Sequence, residues 1–542
     1  MMMKKILFLL LLMPVWLSAQ NITGRITADG RGLKGVAVSD GDVVVVTDGD
    51  GHYAMQSQKR NGYVFYTLPR GYMPELADGF NPQFWQRLQS PSLTVKEKHD
   101  FRLTKHKNDK FRLIIGADTH LANRVKDLEQ FRKGFIPCLQ KETEAAQGEP
   151  VYSMLLGDLT WDIYWTQNKF NLHDFIRTCK EMGYSVPLFP VIGNHDNDPS
   201  VPCTPETDFL SSGPWRDIVS PNYYSYNLGR VHVVVLDDIV YKNEDTGAKY
   251  AKGVVGSRNY DGRITDEQFA WLAQDLALVS KKTPIIVALH IPTMRLDPST
   301  YATILKLGNE TAERLCEALR DFKTVHIVSG HTHYNYCAHP DAYPNIMEHN
   351  IAAVCASWWN TGNFTGRHLC TDGTPGGYSL WTVKGRKLSW QYHSMEPNND
   401  MQMRITDMNA VRYFYRNSEP MKAFLKKYPE RTDFSKLPKD MIYVNVFAYD
   451  RDWKVEILED GQPLKVMRET VEDPLHTLAF DLAVFMKRGA AGNGSQTRKN
   501  THMFTAQATS SMTPITVRVT DSFGQVYEQE LKRPAQFDLE MW

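Results

Sequence analysis

Five short apolar runs in this chain each end in residues able to hold a metal ion: FRLIIGADTH (111–120), VYSMLLGD (151–158), PLFPVIGNHD (187–196), TPIIVALH (283–290) and TVHIVSGHTH (324–333). A continuous apolar run of this length, bounded by glycine or polar residues, reads as a buried strand. In open α/β sheets, ligands collect just beyond the carboxyl ends of strands, so the five ends point to one shared site. By side chain they offer Asp118, His120, Asp158, Asn194, His195, His290, His331 and His333. Imidazole mixed with carboxylate or amide oxygen suits Mn, Fe, Zn or Ni, and no cysteine belongs to the set. One histidine at a strand end is commonly a hydrogen-bonded structural residue, but that reading does not readily explain five such ends.

Between the runs lie longer stretches with helical spacing, such as DEQFAWLAQDLALVS (266–280) and ETAERLCEALRDF (310–322), so residues 110–395 read as an α/β domain. The whole chain, 542 residues and 42% hydrophobic, is too long for one compact domain. Residues 21–107 begin NITGRITADGRGLKGVAVSDGDVVVVTDGDGHYAM, where β-branched stretches alternate with Asp-Gly punctuation, and predict a small β-sandwich. The Asp48-Gly-Asp50-Gly segment is expected as a turn, since the spaced ligands of an EF-hand loop are missing. Residues 398–542 return to short strands (MIYVNVFAYD, WKVEILEDGQPL, ITVRVTDSFGQVYEQELK) and predict a β-rich closing module, with GAAGNGSQTRKN (489–500) as a mobile loop.

The start, MMMKKILFLLLLMPVWLSAQ, has two lysines, an apolar stretch from Ile6 to Trp16 and a small residue at Ala19, the build of a cleaved secretory signal at residues 1–20. The stretch is shorter than the roughly 20 residues needed to span a bilayer, so export without a transmembrane anchor is expected, to a periplasmic, outer-surface or secreted location. Seven cysteines (Cys138, Cys179, Cys203, Cys316, Cys337, Cys355, Cys370) permit disulfides without specifying any pairing. Lys+Arg and Asp+Glu both number 62, so no basic field attracts phosphate backbones and a dedicated nucleic-acid binder is disfavoured.

Taken in order, DTH, GD, GNHD, H and GHTH resemble the motif series of the calcineurin-like metallophosphoesterases. The resemblance covers about residues 110–395, with YYSYNLG (223–229), ASWWN (356–360) and DGTPGGY (372–378) as further local matches to a secreted bacterial subgroup. It implies a multidomain α/β protein: a calcineurin-like αββα sandwich flanked by an N-terminal Ig-like β-sandwich and a C-terminal β-rich module. It also implies two divalent transition-metal ions (Mn, Fe, Zn or Ni), one on Asp118, His120 and His333, the other on Asn194, His290 and His331, with Asp158 bridging. His195 is placed near the leaving-group oxygen as an acid or charge stabiliser, with Asp196 either orienting it or capping the following loop. Gly330 is expected to permit a tight turn into the site. Purple acid phosphatases carry a metal-binding tyrosine where GDLTW puts Trp161, so a purple diiron centre is disfavoured.

Two such ions would acidify a shared water and neutralise charge on the phosphoryl oxygens. The expected reaction is hydrolysis of a phosphate mono- or diester on a small molecule, a phosphorylated sugar or a lipid head group. A nuclease with the same core and a glycan-binding surface protein with an inert core are the alternatives; balanced charge weighs against the first and the complete ligand set against the second. Trp358 and Trp359 are expected either at the substrate or as a plug between modules, and Asp162, Tyr164 and Trp165 are further candidates to face the cleft. His232 and His326, inside apolar strands, are expected in the core, and the sequence assigns no oligomeric state.

Overall fold

The computed structural model describes residues 20–247, 250–492 and 494–539; of the expected signal at residues 1–20, all but Gln20 lies outside the described residues. Two sheets stack at the centre. The first runs in the order Leu188–Val191, Val151–Leu156, Lys110–Gly116, Gly377–Lys384, Lys387–Ser394, with the first three strands parallel and the last two antiparallel to their neighbours. The second runs Tyr224–Leu228, Val231–Val235, Ile285–Ala288, Val325–Ser329, Ile346–Asn350, Tyr336–Ala338, parallel through its middle four.

Both faces of each parallel stretch are covered, which is why these strands are mostly apolar instead of alternating, and why polar members such as Ser153, His232, His326 and Glu348 are themselves buried. Successive side chains point to opposite faces. Leu113 and Ile115 thus join Val233 and Ile285 in the core shared by the sheets, whereas Ile114 joins Phe131, Phe135 and Leu139 in the core beneath the outer helices. On the far side, helices Asp266–Ala277 and Asn309–Leu319 bring Trp271, Leu272, Leu315 and Cys316 to the central core. Helix starts are set locally: Thr265 accepts a hydrogen bond from the Gln268 amide, and Asn171 with Asp174 forms a capping box before Leu172–Glu181.

Strand-rich regions flank this sandwich. The N-terminal one has a six-stranded and a four-stranded sheet, and its core runs into the centre through Phe84, whose ring lies 4.8 Å from Tyr224, and Phe65, 6.1 Å from Trp271. Asp48 makes the expected turn, its Oδ1 accepting from the amides of Asp50 and His52 at 2.9 Å each. The C-terminal region contains two four-stranded sheets but is less purely β than its sequence suggests. Helices Met408–Asn417 and Glu419–Lys427 and a helical run over 474–488 interrupt it. VRYFYRN is rich in strand-forming residues; its helix is fixed by the Asp407 cap and by Val411 and Tyr415 packing with Met421, Phe424 and Phe434. The expected mobile loop is tied down over its second half: Ser495, Thr497 and Asn500 are buried, and Thr497 Oγ1 lies 2.7 Å from His476 Nδ1. All seven cysteines are free thiols. Among the described residues no helix is long and apolar enough to cross a membrane.

Candidate metal centre

Backbone hydrogen bonds gather the five strand ends. The Asp118 amide donates to Gly157 O (3.1 Å), the His120 amide to Asp158 O (2.9 Å) and the Gly330 amide to His290 O (3.0 Å). Carboxylates lock the loops further: Asp158 Oδ1 accepts from the His195 amide at 2.8 Å and Asp118 Oδ2 from the His331 amide at 2.9 Å. Asp118, His120, Asp158, Asn194, His290 and His333 are buried, whereas His331 and His195 are half-buried at the open side.

The side chains sort into two groups. In one, His120 Nε2 and His333 Nε2 lie 3.1 Å apart, with Asp118 Oδ1 at 3.8 and 3.4 Å from them. In the other, His290 Nε2 lies 3.0 Å from Asn194 Oδ1 and 3.1 Å from His331 Nδ1. Asp158 Oδ2 joins them, 3.4 Å from His120 Nε2 and 3.3 Å from His290 Nε2. His331 and His333 therefore fall in different groups.

The backbone around these residues is strained. Asp118 (φ 54°), His120 (40°), Asp158 (52°), His331 (67°) and His333 (59°) all occupy the left-handed region. Non-glycine residues there cost on the order of 1–3 kcal/mol each and persist where the surroundings over-determine them, typically at functional sites. The motif glycines serve close approach, and Gly157 takes a left-handed φ of 82° as well. A Cβ on Gly157 would lie 2.5 Å from His290 Nδ1, and one on Gly193 would lie 2.3 Å from Asp158 Oδ1. Gly330 corrects the expectation of a glycine-specific turn: its φ is ordinary, and glycine is needed because a Cβ would sit 2.7 Å from Ala117 Cβ.

The donor set fits cations. His333 Nδ1 donates to Ala356 O (2.9 Å) and His290 Nδ1 to Leu156 O (2.7 Å), which in the neutral rings leaves each Nε2 a lone pair facing other acceptors. Asp118 Oδ1 and His120 Nδ1 are buried without any hydrogen-bond partner. Burial disfavours a charged His290, yet the Asp158 carboxylate outweighs it and raises the pKa to about 10, so this point in the protein calls for positive charge. Burial drives His331 down to about 3 and His120 well below its ordinary value, keeping both rings neutral and able to ligate. Asp158 resists the upward push of burial because His290, His195 and His120 surround it, and its pKa falls well below the ordinary carboxylate value.

His195 is oriented by Asp162. Its Nδ1 lies 2.7 Å from Asp162 Oδ1, and Arg258 grips both oxygens of that carboxylate, Nε to Oδ2 at 2.5 Å and Nη2 to Oδ1 at 2.6 Å. Arg258 Nη2 is also 2.6 Å from His195 Nδ1, so the three groups form one cluster. Asp196 does not orient His195. Its oxygens accept from the amides of Gly193 (3.0 Å), Thr160 (3.0 Å) and Leu159 (3.2 Å), which caps the loop, and burial followed by Asp158 raises its pKa to about 7. Arg258 carries no motif in the sequence and escapes a reading from residues alone.

The tryptophans part company. Trp358 (φ 50°) is half-buried and stacks on His333, centroids 4.1 Å apart and planes 25° apart. Trp359 is fully buried, donates from Nε1 to Thr119 O at 2.8 Å and packs edge-on against Phe131, so the expectation that it contacts substrate is corrected to a packing role. Trp161 stands edge-on to His120 at 5.3 Å and Tyr164 edge-on to Trp161, both half-buried at the rim, while Trp165 turns away to donate to Thr160 Oγ1. His232 pairs with Asp275 at 2.8 Å and His326 with His349 at 3.0 Å, outside the cluster.

Three family descriptions match the chain in succession: N terminal of Calcineurin-like phosphoesterase over residues 20–106, Calcineurin-like phosphoesterase over 111–335, and C terminal of Calcineurin-like phosphoesterase over 348–527. No curated protein matches it. Among solved structures, a dimetal phosphatase from Danio rerio is 16% identical, with 52% of this chain and 95% of that chain covered and a TM-score of 0.34. A purple acid phosphatase from yellow lupin (Lupinus luteus) seeds is 12% identical over 69% of each chain, TM-score 0.35. A 5'-nucleotidase from Candida albicans is 11% identical over 68% of this chain and 76% of that one, TM-score 0.30. With a ligand cluster that fits cations inside the matched catalytic segment, the chain belongs to the calcineurin-like phosphoesterases, metal-dependent phosphoester hydrolases, and carries that family's N-terminal and C-terminal modules on either side of its catalytic domain.

Proposed function

We propose that Asp118, His120 and His333 hold one divalent transition-metal ion (Mn, Fe, Zn or Ni), that Asn194, His290 and His331 hold a second, and that Asp158 bridges them. The observation that carries this reading is the position of Asp158 Oδ2, 3.4 Å from His120 Nε2 in one group and 3.3 Å from His290 Nε2 in the other. When bound, such a pair supplies Lewis acidity that acidifies water and neutralises charge building on phosphoryl oxygens.

The chain's own residues supply the rest. His195 faces the cleft beside the cluster, its Nδ1 held by Asp162, so its Nε2 is free to carry a proton to the oxygen of the departing alcohol. Asp162 keeps the ring in register and stabilises its charged form, while Arg258 holds Asp162 in place. Trp358, stacked on His333, and the Trp161 edge against His120 keep bulk water from one side of the ligand rings.

The reaction is hydrolysis of a phosphate mono- or diester on a small molecule, a phosphorylated sugar or a lipid head group, carried out after export to the periplasm, outer surface or medium. The basic-then-apolar opening of the sequence supports export, and the balanced charge weighs against a nucleic-acid substrate. The test is hydrolysis of chromogenic phosphate mono- and diesters by metal-stripped protein after single-metal reconstitution, beside Asp158→Ala and His195→Ala. Turnover that requires a transition metal, vanishes in Asp158→Ala and falls in His195→Ala is expected; turnover of Asp158→Ala at the wild-type rate would refute the bridge.

A further inference from the structure

Arg124 lies in the loop that follows the DTH motif, and its guanidinium is held at the rim of the cluster without a compensating anion. Its Cζ stands 4.4 Å above the Trp161 ring and 5.5 Å from the Tyr164 ring, and its Nη2 donates to the Trp358 carbonyl at 3.0 Å. All three aromatic residues are half-buried, and two face the ligands directly: Trp161 lies 5.3 Å from the His120 ring, and Trp358 stacks on His333.

Charge in the cleft is unevenly matched. Arg258, a cation beside His195, is neutralised by the two-pronged grip on Asp162. Among the described residues Arg124 has no carboxylate within ion-pair distance. Asp127, on the same loop, commits its oxygens to the backbone amides of Ala122 (2.6 Å), Arg124 (2.8 Å) and Leu128 (2.9 Å). Arg124 Nε is buried and unpaired, whereas its Nη1 is neither buried nor hydrogen-bonded. A guanidinium held over an aromatic face, fixed at one end and open at the other, presents a rigid fork to an incoming oxyanion.

Resting on the metal-site reading above, we propose that Arg124 binds a second anionic group of the substrate, a phosphate or carboxylate carried close to the scissile phosphate. The preferred substrates are then phosphoesters with two neighbouring negative groups, such as diphosphate-bridged esters or phosphorylated acids. Trp161 and Tyr164 hold the guanidinium plane; the scissile phosphate lies over the ligand cluster, and the second anion reaches Nη1 across the Trp161 edge.

The test is isothermal titration of the full chain loaded with Mn2+, using three non-hydrolysable probes: methylphosphonate, phosphonoacetate and methylenediphosphonate, which share one phosphonate and differ in the second anion. Wild type is expected to bind one or both two-anion probes about tenfold more tightly than methylphosphonate, the size of one charge-assisted hydrogen-bond pair. A gain for phosphonoacetate alone identifies a carboxylate partner, and a gain for methylenediphosphonate alone a phosphate. Arg124→Gln should erase the gain while methylphosphonate affinity holds, and Arg124→Lys should keep part of it. No gain in wild type, the same gain in Arg124→Gln, or an equal weakening of all three probes in Arg124→Gln would overturn the proposal, the last because it marks Arg124 as a strut for Trp358. Metal counting by mass spectrometry separates the two levels: a wild-type chain that takes up no metal overturns the metal-site reading and this inference with it, whereas two bound ions and no second-anion gain overturn this inference alone.

Discussion

Replacing Asp162 with asparagine keeps the shape of the side chain and removes its charge. The Asp162 side chain is wholly buried, with Oδ1 2.7 Å from His195 Nδ1 and both oxygens on Arg258. Two losses follow. Breaking a buried ion pair by removing one partner costs about 3–5 kcal/mol; the Arg258 side chain is 12% exposed and keeps some water, so the low end, about 3 kcal/mol, is expected. A positioned general acid contributes about 10²–10⁴ in rate. The amide oxygen can still accept from Nδ1 but cannot stabilise an imidazolium, so kcat on an alkyl phosphate should fall about 100-fold. A 4-nitrophenyl ester, whose phenolate departs with little need of a proton, should lose about tenfold or less. The assay compares both esters in Asp162→Asn, His195→Ala and the double variant at equal metal content. Groups acting as a unit are non-additive, so the double variant should be no slower than His195→Ala. Equal losses on both esters, or a double variant showing the product of the two single losses, would refute the dyad.

Further outcomes follow from the same geometry. Chelation should lower the thermal midpoint of the catalytic domain by calorimetry, and metal restored to 100-fold over its dissociation constant should return about 2.7 kcal/mol; an unchanged midpoint would count against a buried cation site. Trp359→Ala removes a fully buried ring and should cost about 3–5 kcal/mol in denaturant unfolding, whereas Trp358→Ala, at a half-buried position, should cost less and act mainly on KM. Burial lowers the His476 pKa to about 4, so its neutral form contributes stability that is complete above the unfolded value near 6.5 and is lost as pH falls toward 4. A thermal midpoint that drops over that window in wild type and drops less in His476→Gln is the expected result.

The ligand set was legible because it follows a local rule: each member sits one to five residues beyond a continuous apolar run, and strand ends on one side of a sheet converge. What escaped has no local signature. The Arg258 contact with Asp162 joins positions 96 residues apart. The sequence offered Asp196 as a possible orienter of His195 and Asp162 only as a residue facing the cleft; the backbone amides of Gly193, Thr160 and Leu159 occupy Asp196 and leave the orienting role to Asp162. Trp358 and Trp359 are neighbours of one type, yet one ring faces the cleft and the other the core, because both residues take left-handed backbone (φ 50° and 62°) that no sequence pattern announces. The helix over 408–417 escaped for a related reason: VRYFYRN is rich in residues that favour strands in isolation, and packing against Phe434 decides the matter.

The ASWWN segment explains why the flanking module belongs to the working enzyme. Ala356, Trp358 and Trp359 all have positive φ, which at about 1–3 kcal/mol apiece is a conformation the segment would not hold alone. On the catalytic side the Trp358 carbonyl accepts from Arg124 Nη2 at 3.0 Å and the Trp359 Nε1 donates to Thr119 O at 2.8 Å. From the C-terminal module, His476 Nε2 meets Ser357 Oγ at 2.8 Å. The same module grips the neighbouring loop: Asn445 and Asn500 each donate to Asp372 O at 2.9 Å, and His502 Nε2 lies 3.0 Å from Asp372 Oδ2, which in turn accepts from the Asn335 amide just past the GHTH motif. The strand ends thus bring the ligands together, while the segment that fixes His333 through Ala356 O and stacks Trp358 on it, and the exit of the GHTH loop, are held in place from the C-terminal side.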